Sequence, residues 1–409
     1  MEGPGETQGL ARRVSRVLLL SNGHGEDLSG ALMGQELQAR GLQVTALPLV
    51  GHGQAYRQAG LPVLGQTREY STGGLGYTSH RGRLTEILQG QVLYLLRRLA
   101  LLLRVASQVD LVVVVGDVIP VMAAALVGRP VVTYLVAYSS HYEGRLRLPW
   151  PCGTCLKSRR FRRVFSRDAL TATDLSGQLG RPVEFLGNPF LDRVLEASAP
   201  LTPPDAPRAS QRLGLLPGSR LPEALSNLEL MLEVLNHLPQ PLQAPGRLAL
   251  DAALVGDLTV DRITTCAEPL GWSLHGEELR KGPLRLRLHW GHFAAVVQQS
   301  DLLLSMTGTA AEQAVGLGKP VLQLPGFGPQ FTPGFAEAQR RLLGPSLFCA
   351  DGETGTEKNL RRSGELIGRL LADADLPELC RRNGQQRIGS GGGTARMAEQ
   401  IVSLLRSNG

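Results

Sequence analysis

The chain has 409 residues, of which 43% are apolar and 19% charged, a balance that supports sizeable buried cores and excludes extended disorder. At roughly one domain per 150 residues the length indicates two or three domains, with two large ones preferred. A formal charge of +7 and a pI near 9.4 point to an anionic partner, but aromatics at 5% without interleaved basic clusters argue against nucleic acid.

In chain order, Arg16 to Ser21 reads as a short buried strand, Asp27 to Arg40 as a helix and Gln43 to Leu47 as a second strand. Asp110 to Val115 and Pro130 to Val136 are apolar runs flanking a helical stretch from Val118 to Val127, and Val183 to Leu186 is a further strand. Continuous apolar strands between helices predict a parallel sheet covered on both faces. Pro203, Pro204 and Pro207 interrupt regular structure and mark a linker over 196–211. The alternation restarts at Leu213 to Leu216, Leu248 to Val255, Leu284 to Leu288, Asp301 to Ser305 and Val321 to Leu324. The expectation is two doubly wound α/β domains, 1–195 and 212–390, facing each other across a ligand cleft. A terminal helix over 391–409, after the Gly-rich run 389–393, is placed to reach back to the first domain.

Five scattered cysteines fit a reducing cytoplasm rather than a disulfide framework. Cys152 and Cys155 have the spacing of half a zinc or redox site, yet no second pair completes it, and local packing is the simpler role. The first dozen residues lack the apolar core of a secretory signal. The apolar stretch Val92 to Ala106 is broken by Arg97, Arg98 and Arg104, short of the roughly 20 apolar residues that span a bilayer.

Three strand-end loops carry the chemistry. Pro217-Gly218-Ser219-Arg220 follows a strand and combines exposed backbone N–H groups with a bidentate phosphate donor. Thr307-Gly308-Thr309 opens a helix bearing Glu312, and its free N–H groups suit a diphosphate; Gln330, beyond the next strand, joins this donor set. In the first domain, Asn22-Gly23-His24-Gly25-Glu26-Asp27 occupies the equivalent place, with groups for acceptor binding or proton transfer, although Glu26 and Asp27 also complement a helix dipole. Asp117 emerges after Gly116 at the same sheet edge, as a base or as the cap of the next helix.

The motifs LLPGSR at 215–220 with Glu223, TGTAAEQAVGLGKP at 307–320 and NGHGEDLSGA at 22–31 resemble lipid-A-disaccharide synthase and the proteins related to it. The resemblance runs from about residue 16 to 400 and implies a glycosyltransferase-B fold and inverting sugar transfer, without a metal or resident cofactor. The donor it implies is a nucleotide diphosphate sugar, with UDP as the expected nucleotide, and the acceptor a lipid or glycolipid. It places the donor phosphates at Gly218, Ser219, Arg220 and Thr307 to Thr309, the ribose hydroxyls at Glu312, and the base at Asp117, with Asp27 ending the first glycine motif; His24 of the same loop is the rival base. The family's Asp-x-Pro-Asp-Phe reads Asp117-Val118-Ile119-Pro120-Val121 here, which leaves the acceptor open.

From Arg145 to Arg167 the chain carries many basic residues and no acid, beside Leu146, Leu148, Trp150, Phe161 and Phe165. This segment, with Arg159, Arg160, Arg162 and Arg163, is expected to meet an anionic membrane at its cytoplasmic face. On the upstream helix Leu95, Leu96, Leu99, Leu102, Leu103 and Ala106 share one side, a stripe that also fits a core. A sugar-nucleotide epimerase and a non-catalytic nucleotide-sugar or lipid binding protein are the rival readings.

Overall fold

A computed structural model describes residues 14–65, 67, 91–196, 198–201, 209–326 and 333–407. In the first domain β1 (Arg16–Ser21), β2 (Gln43–Pro48), β3 (Leu111–Gly116), β4 (Val131–Leu135) and β5 (Phe161–Ser166) form a parallel sheet in the order β2-β1-β3-β4-β5. The order reverses between β1 and β3, which opens a crevice at their carboxyl ends.

The strands are apolar throughout because both faces are covered. Leu18, Leu20, Val112 and Val114 point to one core, and Val17, Leu19, Val113 and Val115 to the other. Helix α1 (His24–Ala39) packs on the second of these faces. Helices α2 (Gln91–Ala106), α3 (Val118–Ala125) and α4 (Cys152–Lys157) cover the first through Leu102, Ala106, Val121, Ala124 and Leu156. Helix α5 (Ala169–Leu179) follows β5, held at its start by the Asp168 side chain, which accepts from the Thr171 N–H at 2.7 Å.

The second sheet runs β13-β12-β11-β6-β7-β10-β9-β8, built from β6 (Gln211–Leu216), β7 (Leu248–Leu254), β8 (Ser273–His275), β9 (Glu278–Lys281), β10 (Leu284–Trp290), β11 (Leu302–Ser305), β12 (Val321–Gln323) and β13 (Leu347–Cys349). It is parallel except for β9 and β8, which add an antiparallel hairpin at one edge. Helices α6 (Glu223–Leu235), α7 (Gly308–Gly316) and α8 (Pro333–Leu343) follow β6, β11 and β12.

The last helix, α9 (Gly393–Ser407), lies on the first domain. Met397, Ala398, Ile401 and Val402, spaced along one face, enter the core formed by Ala31, Met33 and Leu37 of α1, and burying each large aliphatic contributes about 1.5–3 kcal/mol. Asp192 fixes the entry, accepting from the Gly392 N–H at 2.5 Å and the Thr394 N–H at 2.9 Å.

Three expectations change. Val183 to Leu186 is no strand: it contributes one parallel bridge, Glu184 to Phe165, on the open side of the edge strand β5. Phe161 and Phe165 are 1% and 0% exposed, so they anchor β5 in the core instead of meeting a membrane. The stripe on α2 divides, Leu102 and Ala106 being buried while Leu96 and Leu103 are exposed. Among the described residues no helix is long and apolar enough to cross a membrane.

Candidate active site

Parallel pairing of β1 with β3 sets Ser21 beside Val115, so the residues just beyond, Asn22 and Asp117, meet at the crevice. The Asn22 carboxamide nitrogen lies 3.4 Å from both Asp117 carboxylate oxygens. Asp117 also accepts from the Ile119 N–H at 2.9 Å, capping α3, while the Tyr138 hydroxyl accepts from the Val118 N–H at 3.0 Å. Burial raises the Asp117 pKa, opposed by the hydrogen bonds from Ile119 and Asn22.

Glu26, which the sequence offers either to proton transfer or to the helix dipole, reaches the same crevice. It accepts from the Asn22 N–H at 2.8 Å, and its Oε2 would lie 2.6 Å from a Cβ placed on Gly116. A glycine at 116 therefore makes the room for this carboxyl group. Burial first, then the neighbouring Asp117, pushes Glu26 well above the carboxylate range.

Asp27 is 3% exposed and accepts from the Ser21 hydroxyl at 2.6 Å, which in turn accepts from the Tyr56 hydroxyl at 2.8 Å. Burial raises Asp27 to about 7, against the Ser21 hydrogen bond. Three carboxyl groups thus share one crevice in environments that favour the protonated state, the pattern expected where protons are moved. His24 is the first residue of α1; its side chain, like Gln330, lies outside the described residues.

In the second domain β6 pairs with β11 so that Leu216 lies beside Ser305, and the loops beyond them touch. A Cβ on Gly218 (φ 120°) would lie 3.5 Å from Thr307 Cγ2, and Asn227 anchors the first loop by donating to the Pro217 carbonyl at 2.8 Å. Ser219 and Arg220 are exposed, and no hydrogen bond or ion pair joins the Arg220 guanidinium to a described residue. Thr307 occupies the N-cap of α7 without a side-chain cap; its hydroxyl lies 3.2 Å from that of Ser305. The first-turn N–H groups of α7 are thereby left open to an anion.

Glu312, 6% exposed, is ion-paired with Arg167 of the first domain and accepts from Asn188 at 3.1 Å. Both contacts fall on Oε1. Arg167 also donates to the Val136 carbonyl at 3.0 Å, and Gln313 donates to the Phe190 carbonyl at 2.8 Å. A buried polar clasp, absent from the sequence reading, thus ties α7 to the first sheet.

The basic segment is divided by the fold. Arg160 donates to the Val127 carbonyl at 2.5 Å and Arg163 pairs with Glu184 at 2.9 Å, so these two serve the β4–β5 edge. Arg159 and Arg162 are exposed. Cys152 and Cys155 sit one turn apart on α4 as free thiols; burial, with Cys155 adding to it, pushes Cys152 up to about 12, which makes it an inert packing residue.

No family model and no curated protein sequence matches the chain, whereas solved structures match it along nearly its full length. The calicheamicin glycosyltransferase CalG4 is 20% identical, with 96% of this chain and 98% of that one covered and a TM-score of 0.59. The spinosyn rhamnosyltransferase SpnG, solved with thymidine diphosphate, is 16% identical over 94% and 100% of the two chains, with a TM-score of 0.55. UDP-GlcNAc 2-epimerase from Neisseria meningitidis, solved with UDP-GlcNAc, is 16% identical over 96% and 100%, with a TM-score of 0.50. The chain has the glycosyltransferase-B fold. At these identities the likeness speaks for the fold alone.

Proposed function

We propose that this protein transfers a sugar, with inversion, from a nucleoside diphosphate to a hydroxyl of a lipid or glycolipid at an anionic membrane surface, as a relative of lipid-A-disaccharide synthase. The reading is supported by one strand-end site in each domain: the second offers Gly218, Arg220 and the uncapped start of α7, the first offers the Asn22–Asp117 pair.

In this reading Asp117 takes the acceptor proton as the hydroxyl attacks the anomeric carbon, and Asn22 holds the carboxylate in place. Glu26, pushed well above the carboxylate range, stays protonated beside it. The departing diphosphate is stabilised by the backbone N–H groups of Gly218, Ser219 and residues 308–309 and by Arg220, where negative charge develops. Oε1 of Glu312 is held by the clasp, which leaves Oε2 to receive a ribose hydroxyl.

Membrane contact is supported by the outer side of the α2–α4 layer. Leu93, Leu96, Leu103, Ile119, Met122 and Leu126 are exposed there, and Trp150, just before α4, is 88% exposed. Arg97 and Arg104 of α2 and Arg159, just after α4, are exposed cations, a combination suited to anionic headgroups.

The likeness to UDP-GlcNAc 2-epimerase favours a second reading, conversion of the nucleotide sugar itself. Incubating the protein with nucleotide sugars, with and without lipid extract, separates the two. Transfer predicts a new glycolipid only when lipid is present; a changed sugar without lipid establishes the epimerase.

A further inference from the structure

The unpaired part of the basic segment does not face open solvent alone. Arg145, Arg147 and Lys157 line a cavity of about 940 Å³ that Arg341, on α8 of the second domain, also lines. No carboxylate lines it among the described residues. Asp174, on α5, accepts from the Leu146 N–H at 2.7 Å, the Ser140 hydroxyl at 2.8 Å and the Gln178 amide at 2.8 Å, and Arg145 adds to the favourable field at its carboxylate.

Arg341 shares its charge with Glu337 at 2.9 Å, but Arg145, Arg147 and Lys157 form no ion pair with a described residue. Cations gathered around one concavity repel each other, and an anion relieves this repulsion. Leu148 and Leu179 supply an apolar side to the same cavity. None of the lining residues belongs to the crevice of Asp117 or to the loops of Gly218 and Thr307.

We propose that this interdomain cavity binds a phosphomonoester whose carbon skeleton lies against Leu148 and Leu179, at a site separate from the nucleotide. Guanidinium groups grip the phosphate oxygens in the bidentate manner that suits them, and Lys157 adds a point charge. Because Arg341 comes from the other domain, a bound phosphate bridges the two halves.

Calorimetry on the full chain tests this with two probes, dihexanoyl phosphatidic acid below its micellar concentration and glycerol 3-phosphate. Both are expected to bind wild type, and Arg147→Gln/Lys157→Gln, altering two exposed side chains, is expected to lower affinity at least tenfold with the circular dichroism spectrum unchanged. Tighter binding of the acylated probe assigns the site to a lipid headgroup, and equal binding to a soluble phosphate ester. Arg220→Ala is expected to leave both affinities unchanged. Absence of binding, equal binding to the double variant, or loss of binding in Arg220→Ala overturns the proposal.

Discussion

The Asn22 carboxamide stands 3.4 Å from each oxygen of Asp117, joining the ends of β1 and β3 at the point where the first sheet reverses its strand order. A neutral donor aimed at a carboxylate stabilises the ionised form and lowers its pKa, while burial raises it. Removing the donor leaves burial less opposed. Asn22→Ala is therefore expected to move the ascending limb of kcat/KM to higher pH, and Asp117→Asn to lower turnover by about 10² to 10⁴ with nucleotide affinity retained. A pH–rate profile with the limb unmoved in Asn22→Ala counts against Asp117 as the base.

Gly116 makes room for Glu26. A methyl group there would press on Oε2 at 2.6 Å and on Pro120 Cγ at 2.9 Å, so Gly116→Ala must displace the carboxyl group, the β3–α3 turn or both. Turnover is expected to fall at least tenfold while nucleoside diphosphate still binds through the second domain. Comparing steady-state kinetics with calorimetry on the same preparation checks this; an active Gly116→Ala enzyme removes Glu26 from the site.

Asp27 links stability to pH. Its folded pKa, near 7, stands above the ordinary carboxylate value, so between about pH 4 and 7 the folded state holds a proton that the unfolded state has released. Stability from this group is complete below pH 4 and is lost as pH rises through 7. At about 1.4 kcal/mol per pKa unit the loss has a ceiling of about 4 kcal/mol. Asp27→Asn, which keeps the acceptor for Ser21, is expected to flatten the decline in urea-denaturation stability between pH 5 and 8. An equally steep decline in the variant shows that Asp27 is ionised in the fold.

The Arg167–Glu312 pair is buried on both sides, so removing one partner strands a charge. Glu312→Ala is expected to cost about 3–5 kcal/mol of stability. The double change Arg167→Met/Glu312→Leu is expected to cost less than the sum of its single changes. Denaturation midpoints decide between this and a pair that contributes nothing; additive effects refute the clasp.

The strand and loop signals were legible because they are local. β1 matches its expected bounds, and the loops at 218 and 307 follow buried strands as their apolar runs imply. What stayed hidden depends on pairing across the fold. Phe161 and Phe165 sit among arginines in sequence, and only the pairing of β5, with a register shift after Phe161, sends one into each core while Arg162 turns out. The Arg167–Glu312–Asn188 clasp joins residues more than 120 positions apart, beyond any periodicity. Glu26 resembled an ordinary first-turn acid until the space at Gly116 showed where its carboxyl group goes.

Binding of free nucleoside diphosphate to wild type and Arg220→Ala, measured by calorimetry, tests the central claim most directly. An Arg220 guanidinium that grips the diphosphate contributes about 1.5–3 kcal/mol, so the variant is predicted to bind roughly ten- to 150-fold more weakly. Equal affinity in the two proteins, or no binding to wild type, contradicts a nucleotide-sugar enzyme with its donor site at Gly218, Arg220 and the start of α7.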